Sequence, residues 1–202
     1  MKTIRIYNKN KAERIIKNDT VLIERICCSC HVPAPFIKTV LMMEVPEIDL
    51  MDCLADTAVE INWLRYLLFR TYHPKRHSNN PFRKYDSSTG YCQIFSQVAI
   101  ESIVFARERG ILAATDFSDI LTAENPDSLR SVWFRLKRDK AFNMTCCALN
   151  LLFCAYQMTG KIDFTDYSDN DIKLIFSRYN GNVKKITAYG EKAFLFFQEF
   201  CT

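Results

Sequence analysis

The sequence predicts an all-α protein, or an α protein with a minimal β-hairpin, and three observations support this fold class. Apolar residues recur at spacings of three, four and seven over most of the chain, which is the period of amphipathic helices. Only six prolines and five glycines interrupt the 202 residues. Alternating strand patterns are confined to residues 89–94 and, more weakly, 2–7.

The N-terminal part of the chain predicts one or two amphipathic helices over residues 11–30. Their apolar residues have helical spacing: Ile15, Ile16, Leu22, Ile23 and Ile26. Two prolines, Pro33 and Pro35, then end this segment. We therefore expect residues 1–32 to form an N-terminal helical segment packed on the core of a domain that spans residues 33–202.

The next two helices differ in how much of their surface is apolar. The run "PFIKTVLMME" is apolar almost throughout, so we expect a buried helix over 35–43 that ends at Glu44, just before Pro46. A second helix follows in "EIDLMDCLADTAVEINWLRYLLFRTY", where Asp49 and Asp52 suit the positive end of the helix dipole. A long polar loop, "HPKRHSNNPFRKYDSSTG", separates it from the rest of the chain.

The C-terminal half predicts five more helices. Ser96 is the expected N-cap of a helix that runs to about Arg109 and ends at Gly110. Further helical patterns cover residues 127–138, 140–159, 169–179 and 187–200. No repeat or low-complexity tract interrupts them.

Composition and cysteine usage exclude several classes of protein. Hydrophobic residues make up 49% of the chain, which excludes a disordered tail, and the net charge of +4 is mild. The first twenty residues lack the apolar region of a secretory signal, and no apolar run is long enough to span a bilayer. We therefore expect a soluble chain made in the cytoplasm.

The nine cysteines are expected to be thiols, because their number is odd and two pairs are adjacent in sequence. The cluster "CCSCH" raises the alternative of zinc, with Cys27, Cys28, Cys30 and His31 as ligands. Structural zinc sites combine two spaced ligand pairs, and no second pair follows at a suitable spacing. We expect neither a metal nor another cofactor.

Glu44 is the first candidate for chemistry. A carboxylate at the end of an apolar helix is partly desolvated and lies at the negative end of the helix dipole, and both effects raise its pKa. Such a group can hold a proton near neutral pH and act as a general acid. The alternative is that "MEVP" leaves the core and Glu44 is an ordinary exposed acid.

Three motifs together resemble the lysozyme-like superfamily, in particular goose-type lysozymes and soluble lytic transglycosylases. They are the apolar helix ending in a glutamate, "FIKTVLMME"; the serine-bearing turn entering a short strand, "SSTGYCQIF"; and the C-terminal turn "RYNGNVKKITAY". The resemblance covers about residues 33–200. It implies a lysozyme-like helical domain with a cleft, and cleavage of the MurNAc-GlcNAc glycan strand of peptidoglycan without a cofactor.

The resemblance also implies roles for individual residues. Glu44 would be the catalytic acid, and Tyr179 and Asn180 would contact it or the adjacent sugar. The turn would line the cleft, with Gly90 allowing close approach of the backbone to the ligand. The substrate-binding residues of this turn would be Ser87, Ser88, Gly90, Tyr91 and Gln93.

Two features depart from the family pattern. A whole helix is inserted between Glu44 and Gly90, and Tyr91 and Cys92 replace the customary leucine and methionine. The inserted helix carries a rival acid, Glu60, whose mid-helix position favours an exposed or ion-paired role instead. Its aromatic residues at three-residue spacing suit core packing better than sugar stacking: Trp63, Tyr66, Phe69 and Tyr72.

The second carboxylate of a glycosidase is an open question. Asp86 is the best candidate for it, as a base or an electrostatic stabiliser, and a turn-capping role is equally compatible with its neighbours. Without a second carboxylate, a lytic transglycosylase would be favoured, in which a hydroxyl of the substrate closes an anhydro ring. The sequence leaves hydrolysis and transglycosylation both open.

The expected partner is therefore the peptidoglycan glycan strand, reached after release or delivery by another route, with a secretion carrier or an immunity protein as a further partner. Nucleic acid is not a partner in this hypothesis. The alternative function is a non-catalytic helical interaction module that binds a protein or nucleic acid through its basic loop. That loop carries Lys75, Arg76, His77, Arg83 and Lys84.

Overall fold

The fold is all-α, as the sequence predicts. The computed structural model describes residues 9–47, 50–70, 72, 85–113, 117–120, 122–181 and 183–201. Its helices are α1 (Lys9–Asn18), α2 (Thr20–Cys30), α3 (Ala34–Glu44), α4 (Leu50–Phe69), α5 (Ser96–Glu108), α6 (Pro126–Arg138), α7 (Lys140–Thr159), α8 (Asp169–Tyr179) and α9 (Ala188–Cys201). A short 3-10 turn, Val45–Glu47, follows α3.

Helix α7 is the centre of the core. Its residues are apolar around the whole helix, a pattern that requires burial on every side. It accordingly contacts α2, α3, α5, α6 and α8. Helix α3 packs between α7 and α9, so the end of α3 at Glu44 lies against the C-terminal helix.

Most predicted helix ends agree with the structure because local signals specify them. The side chain of Asn125 accepts from backbone N–H groups at the start of α6, and Asp139 does the same for α7. Gly160 ends α7 in the left-handed conformation, with φ of 75°. Ser168 and Asp171 form a reciprocal capping box at the start of α8.

The prediction that Ser96 caps α5 was wrong. Ser96 is the first helical residue, Phe95 occupies the cap position, and no side chain at that position caps the helix. The N–H groups of Ser96 and Gln97, which have no acceptor within the helix, instead donate to the carboxylate of Asp86. A residue ten positions upstream therefore replaces the local cap.

The minimal hairpin is a single antiparallel bridge between Thr89 and Ile94. Among the described residues it is accompanied by no longer strand. The weaker strand signal at residues 2–7 and the cationic residues of the basic loop at 75–84 lie outside the described residues.

The N-terminal helices share the hydrophobic core with the rest of the chain. Ile16 of α1 and Ile23, Ile26 and Cys30 of α2 are buried in the same cluster as the residues of α3 and α7. The division at residue 32 stays a prediction.

The nine cysteines are free thiols. Six are buried, Cys27, Cys30, Cys92, Cys146, Cys147 and Cys154, and three are exposed, Cys28, Cys53 and Cys201. Burial is the main cause that raises the pKa of Cys30 to about 11, so this thiol is protonated at neutral pH. In the described part of the chain, no helix has the length and apolar character needed to cross a bilayer.

Candidate functional site

Glu44 lies at the C-terminal end of α3 and is half-buried. Its Oε1 atom accepts a hydrogen bond of 2.5 Å from the hydroxyl group of Tyr189 on α9. Burial raises the pKa of Glu44 to about 7, and the nearby charges of Glu47 and Asp52 act in the same direction. The hydrogen bond from Tyr189 opposes this shift without cancelling it. Glu44 is therefore not the freely exposed acid of the alternative interpretation.

Tyr179 connects α8 to the hairpin turn, which we define as residues 85–95. Its hydroxyl group donates to the backbone carbonyl of Cys92 at 2.8 Å. Burial is the main cause that raises the pKa of Tyr179, and the charge of Glu44 adds to it. Burial likewise raises the pKa of Cys92, again with a contribution from Glu44. The carboxyl group of Glu44 therefore lies within electrostatic range of both the hairpin turn and Tyr179.

The hairpin turn is fixed to the core by Asn143, a buried residue of α7. Its Oδ1 accepts from the backbone N–H of Cys92 at 2.9 Å, and its Nδ2 donates to the carbonyl of Thr89 at 3.1 Å. One side chain thus pairs with a backbone group on each side of the turn. Burying either backbone group without a hydrogen-bond partner would destabilise the folded protein.

Gly90 is required by the packing of the turn on the core. Its φ is +74°, and an added Cβ would lie 2.2 Å from Nδ2 of Asn143 and 2.5 Å from the carbonyl oxygen of Leu136. The close backbone approach expected at Gly90 is therefore an approach to α6 and α7. The structure supplies no reason to assign Gly90 to a ligand.

Ser87 is held inside the protein by Asp56 and Trp133. Its hydroxyl group donates to Oδ1 of Asp56 at 2.9 Å and accepts from the indole N–H of Trp133 at 3.1 Å. Thr89 donates to the other carboxylate oxygen of Asp56 at 2.9 Å. These bonds attach the turn to the inserted helix α4, so the contacts of Ser87 are structural.

Ser88 and Gln93 are hydrogen-bonded to each other within the same turn. The hydroxyl group of Ser88 donates to Oε1 of Gln93 at 3.1 Å, and Nε2 of Gln93 donates to the carbonyl of Gly90 at 3.0 Å. Gln93 adopts a left-handed backbone conformation with φ of 47°. Both side chains are half-buried, as is that of Tyr91, so part of each remains accessible to a ligand.

Asp86 is engaged at the start of α5. Its two oxygens accept from the backbone N–H groups of Ser96 at 2.9 Å and Gln97 at 3.1 Å. Burial raises its pKa to about 6, and these hydrogen bonds oppose the shift. This geometry favours the capping role that the sequence left open.

The other predicted site residues are more peripheral. Tyr91 is half-buried, and Asn180 is exposed at the end of α8, where its backbone N–H completes the helix. Glu60, the rival acid, forms an ion pair with Lys137 at 3.1 Å. Trp63 and Tyr66 are buried and pack against Tyr72 and Tyr85, so most of that aromatic series belongs to the core.

Sequence reasoning missed the residues that position the turn. Asn143 carried a detectable signal, because it is a polar residue in an otherwise apolar helix. Asp56 carried none, since an aspartate on an amphipathic helix is ordinarily solvated.

Comparisons of the chain with protein-family models, with curated proteins and with solved structures each find no match. The site is therefore interpreted from its own geometry. Among the described residues, no group of three or more histidine, cysteine, aspartate or glutamate side chains is arranged to hold a metal ion.

Proposed function

We propose that the protein is a peptidoglycan-cleaving glycosidase in which Glu44 is the general acid. The observation that carries the proposal is a half-buried carboxyl group with a pKa of about 7, held by Tyr189 within electrostatic range of Tyr179 and of Cys92 in the hairpin turn. A pKa near the working pH gives both a populated acid form and a sufficient tendency to release the proton.

In the proposed reaction, Glu44 donates its proton to the oxygen of the glycosidic bond as that bond breaks at the sugar C1 atom. The carboxylate that remains stabilises the positive charge at C1 and then removes a proton from the attacking hydroxyl group. When the attacking group is water, the product has a reducing end. When it is a hydroxyl group of the same sugar, the product is an anhydro sugar.

The roles of the neighbouring residues follow from their contacts. Tyr189 fixes the orientation of Glu44, and Tyr179 fixes the hairpin turn relative to it. Ser88 and Gln93 are the proposed glycan contacts, because their side chains are polar and partly exposed. Asp86 is left out of the chemistry, because both of its oxygens serve the start of α5.

Because both oxygens of Asp86 are hydrogen-bonded to α5, Asp86 is not the second carboxylate of a glycosidase. This favours transglycosylation, in which the substrate supplies the nucleophile. Two other carboxylates, Glu47 and Asp52, are close enough to Glu44 for their negative charges to raise its pKa. Glu47 forms an ion pair with Lys192 at 3.7 Å. Analysis of the released muropeptides for anhydro or reducing ends distinguishes the two reactions.

The test of the proposal measures clearing of purified peptidoglycan sacculi by the purified protein. We expect Glu44→Gln to reduce clearing about 100-fold or more, because a general acid contributes about 10²–10⁴-fold. Glu60→Gln is the matched control, since it removes the rival acid without touching the proposed site, and its activity should stay within severalfold of the wild type.

Two outcomes would contradict the proposal. Loss of clearing in Glu60→Gln, together with normal clearing by Glu44→Gln, would move the acid to α4. No clearing by the correctly folded wild-type protein would favour the interaction module that binds a protein or nucleic acid.

A further inference from the structure

Helix α4 has two apolar faces, and one of them is exposed. The inner face packs into the protein through Ala58, Val59, Trp63 and Tyr66. The opposite face carries leucine and isoleucine side chains with exposed fractions of 39–67%: Leu54, Ile61, Leu64 and Leu68. A surface helix normally presents polar residues on the side opposite the core, so the apolar outer face of α4 requires an explanation.

Four of the exposed large apolar residues described on α4 form a stripe, in which Thr57 lies between the first two, and Leu67 and Phe69 are exposed outside it. Leu54, Ile61, Leu64 and Leu68 are separated by seven, three and four positions, which puts them on the same side of the helix. From Leu54 to Leu68 the stripe is about 21 Å long, at about 1.5 Å per residue. Contiguous apolar surface of this kind marks a site of association, unlike single exposed apolar residues.

Arginine residues accompany the stripe. Arg65 lies within it, one turn after Ile61, and Arg70 follows the helix end; both are exposed. The sequence from residue 61 to residue 85 contains six lysine and arginine residues and no aspartate or glutamate. The rest of the chain has a small excess of acidic residues, so this segment accounts for the positive net charge of the protein.

We propose that the outer face of α4 docks on the surface of a bilayer rich in anionic phospholipid. The apolar stripe would enter the boundary between headgroups and acyl chains, and the arginines would reach the lipid phosphates. An apolar helix face combined with basic residues is the pattern that binds such surfaces. This proposal does not depend on the glycosidase activity.

The charges argue against a second copy of the chain as the occupant. In a helix–helix contact, Arg65 would be buried within the stripe without a partner, which is strongly unfavourable. Two copies would also bring the like charges of Arg65 and Arg70 on each chain together. At a lipid surface, the long side chain of Arg65 can instead keep its charged end among the headgroups.

Vesicle co-sedimentation tests the proposal with the full-length protein. We expect tight binding to mixed phosphatidylcholine–phosphatidylglycerol vesicles, weak binding to pure phosphatidylcholine vesicles, and loss of binding at high salt. The double variant Leu64→Asp/Leu68→Asp should bind the mixed vesicles roughly tenfold more weakly or worse. Arg65→Gln should weaken binding about fivefold, the effect of about one basic residue at an anionic surface.

The matched control is Leu195→Asp on α9, because Leu195 is 62% exposed, close to the 67% of Leu68, and lies outside the stripe. Its binding should be unchanged, and circular dichroism of each variant checks that it is folded. Unchanged binding by the double variant, or equal binding of wild type to both kinds of vesicle, would overturn the proposal. A wild-type dimer that the double variant converts to a monomer, without vesicle binding, would assign the face to self-association.

Discussion

Two partly buried carboxyl groups of this protein, Glu44 and Asp86, lie at opposite kinds of helix end. Glu44 terminates α3, where the helix presents carbonyl groups and offers no N–H donors, and it obtains one hydrogen bond from Tyr189. Asp86 lies at the start of α5, where two backbone N–H groups donate to it. Burial raises the pKa of both, to about 7 for Glu44 and about 6 for Asp86.

Burial alone does not make a carboxyl group available for chemistry. The oxygens of Asp86 are committed to the backbone, so a change in its protonation disturbs α5. Glu44 carries no such structural duty toward a helix start, and its proton can be exchanged with less effect on the fold. The two groups should therefore respond differently to substitution.

The largest expected difference is in activity. Asp86→Asn should retain sacculus-clearing activity within about tenfold of the wild type, whereas Glu44→Gln should lose about 100-fold or more. The measurement is turbidity clearing per folded molecule, at a temperature well below the unfolding transition of either variant. Equal losses in the two folded variants would remove the distinction between the carboxyl groups and return Asp86 to the reaction.

The next effect is on the pH dependence of stability. The pKa of Glu44 is about 7 in the folded protein against an ordinary value of 4.5, so the folded state binds the proton more tightly than the unfolded chain. Ionisation of Glu44 therefore lowers the free energy of unfolding progressively between about pH 4.5 and 7, by about 3 kcal/mol in total.

Glu44→Gln should remove this loss, because glutamine does not ionise. In denaturant unfolding at several pH values, the free energy of unfolding of the variant should rise relative to that of the wild type as the pH increases to about 7. Above pH 7 the difference between the two should be constant. A stability difference that is independent of pH would mean that Glu44 is not desolvated in the folded protein.

The smallest effect concerns the hydrogen bond from Tyr189. The bond favours the ionised form of Glu44, so Tyr189→Phe should raise the pKa of Glu44 further. A ¹³C NMR titration of the Glu44 carboxyl carbon measures the pKa directly, and the alkaline limb of the activity profile should move the same way. Tyr167→Phe is the matched control. It also removes a tyrosine hydroxyl group, but that group donates to the carbonyl of Lys161 and not to Glu44. A Glu44 titration that moves to lower pH in Tyr189→Phe would contradict the assigned role.

The helices could be read from the chain because their signals are local. The segments predicted at 140–159 and 169–179 agree with α7 and α8, where Asp139, Gly160 and Ser168 mark the ends. The position of Glu44 at the end of a buried helix was predictable for the same reason, since apolar residues precede it and Pro46 follows.

The start of α5 illustrates where local reasoning fails. Ser96 has the residue type of a good cap, and the prediction that it caps the helix rested on that type. In the structure the chain turns back through residues 87–95, which brings Asp86 to the N–H groups of Ser96 and Gln97. A charged acceptor that reaches two donors replaces a local hydroxyl group, and residue preferences at one position do not contain this information.

The helical fold, most helix ends and the burial of Glu44 at the end of an apolar helix follow from the amino-acid sequence, because each depends on neighbours within a few residues. Which side chains meet follows instead from the packing of the helices. Tyr189 reaches Glu44 across 145 positions, and Asn143 holds a turn that lies about 50 positions earlier. Such contacts depend on how the helices pack around α7, which no short stretch of the chain specifies.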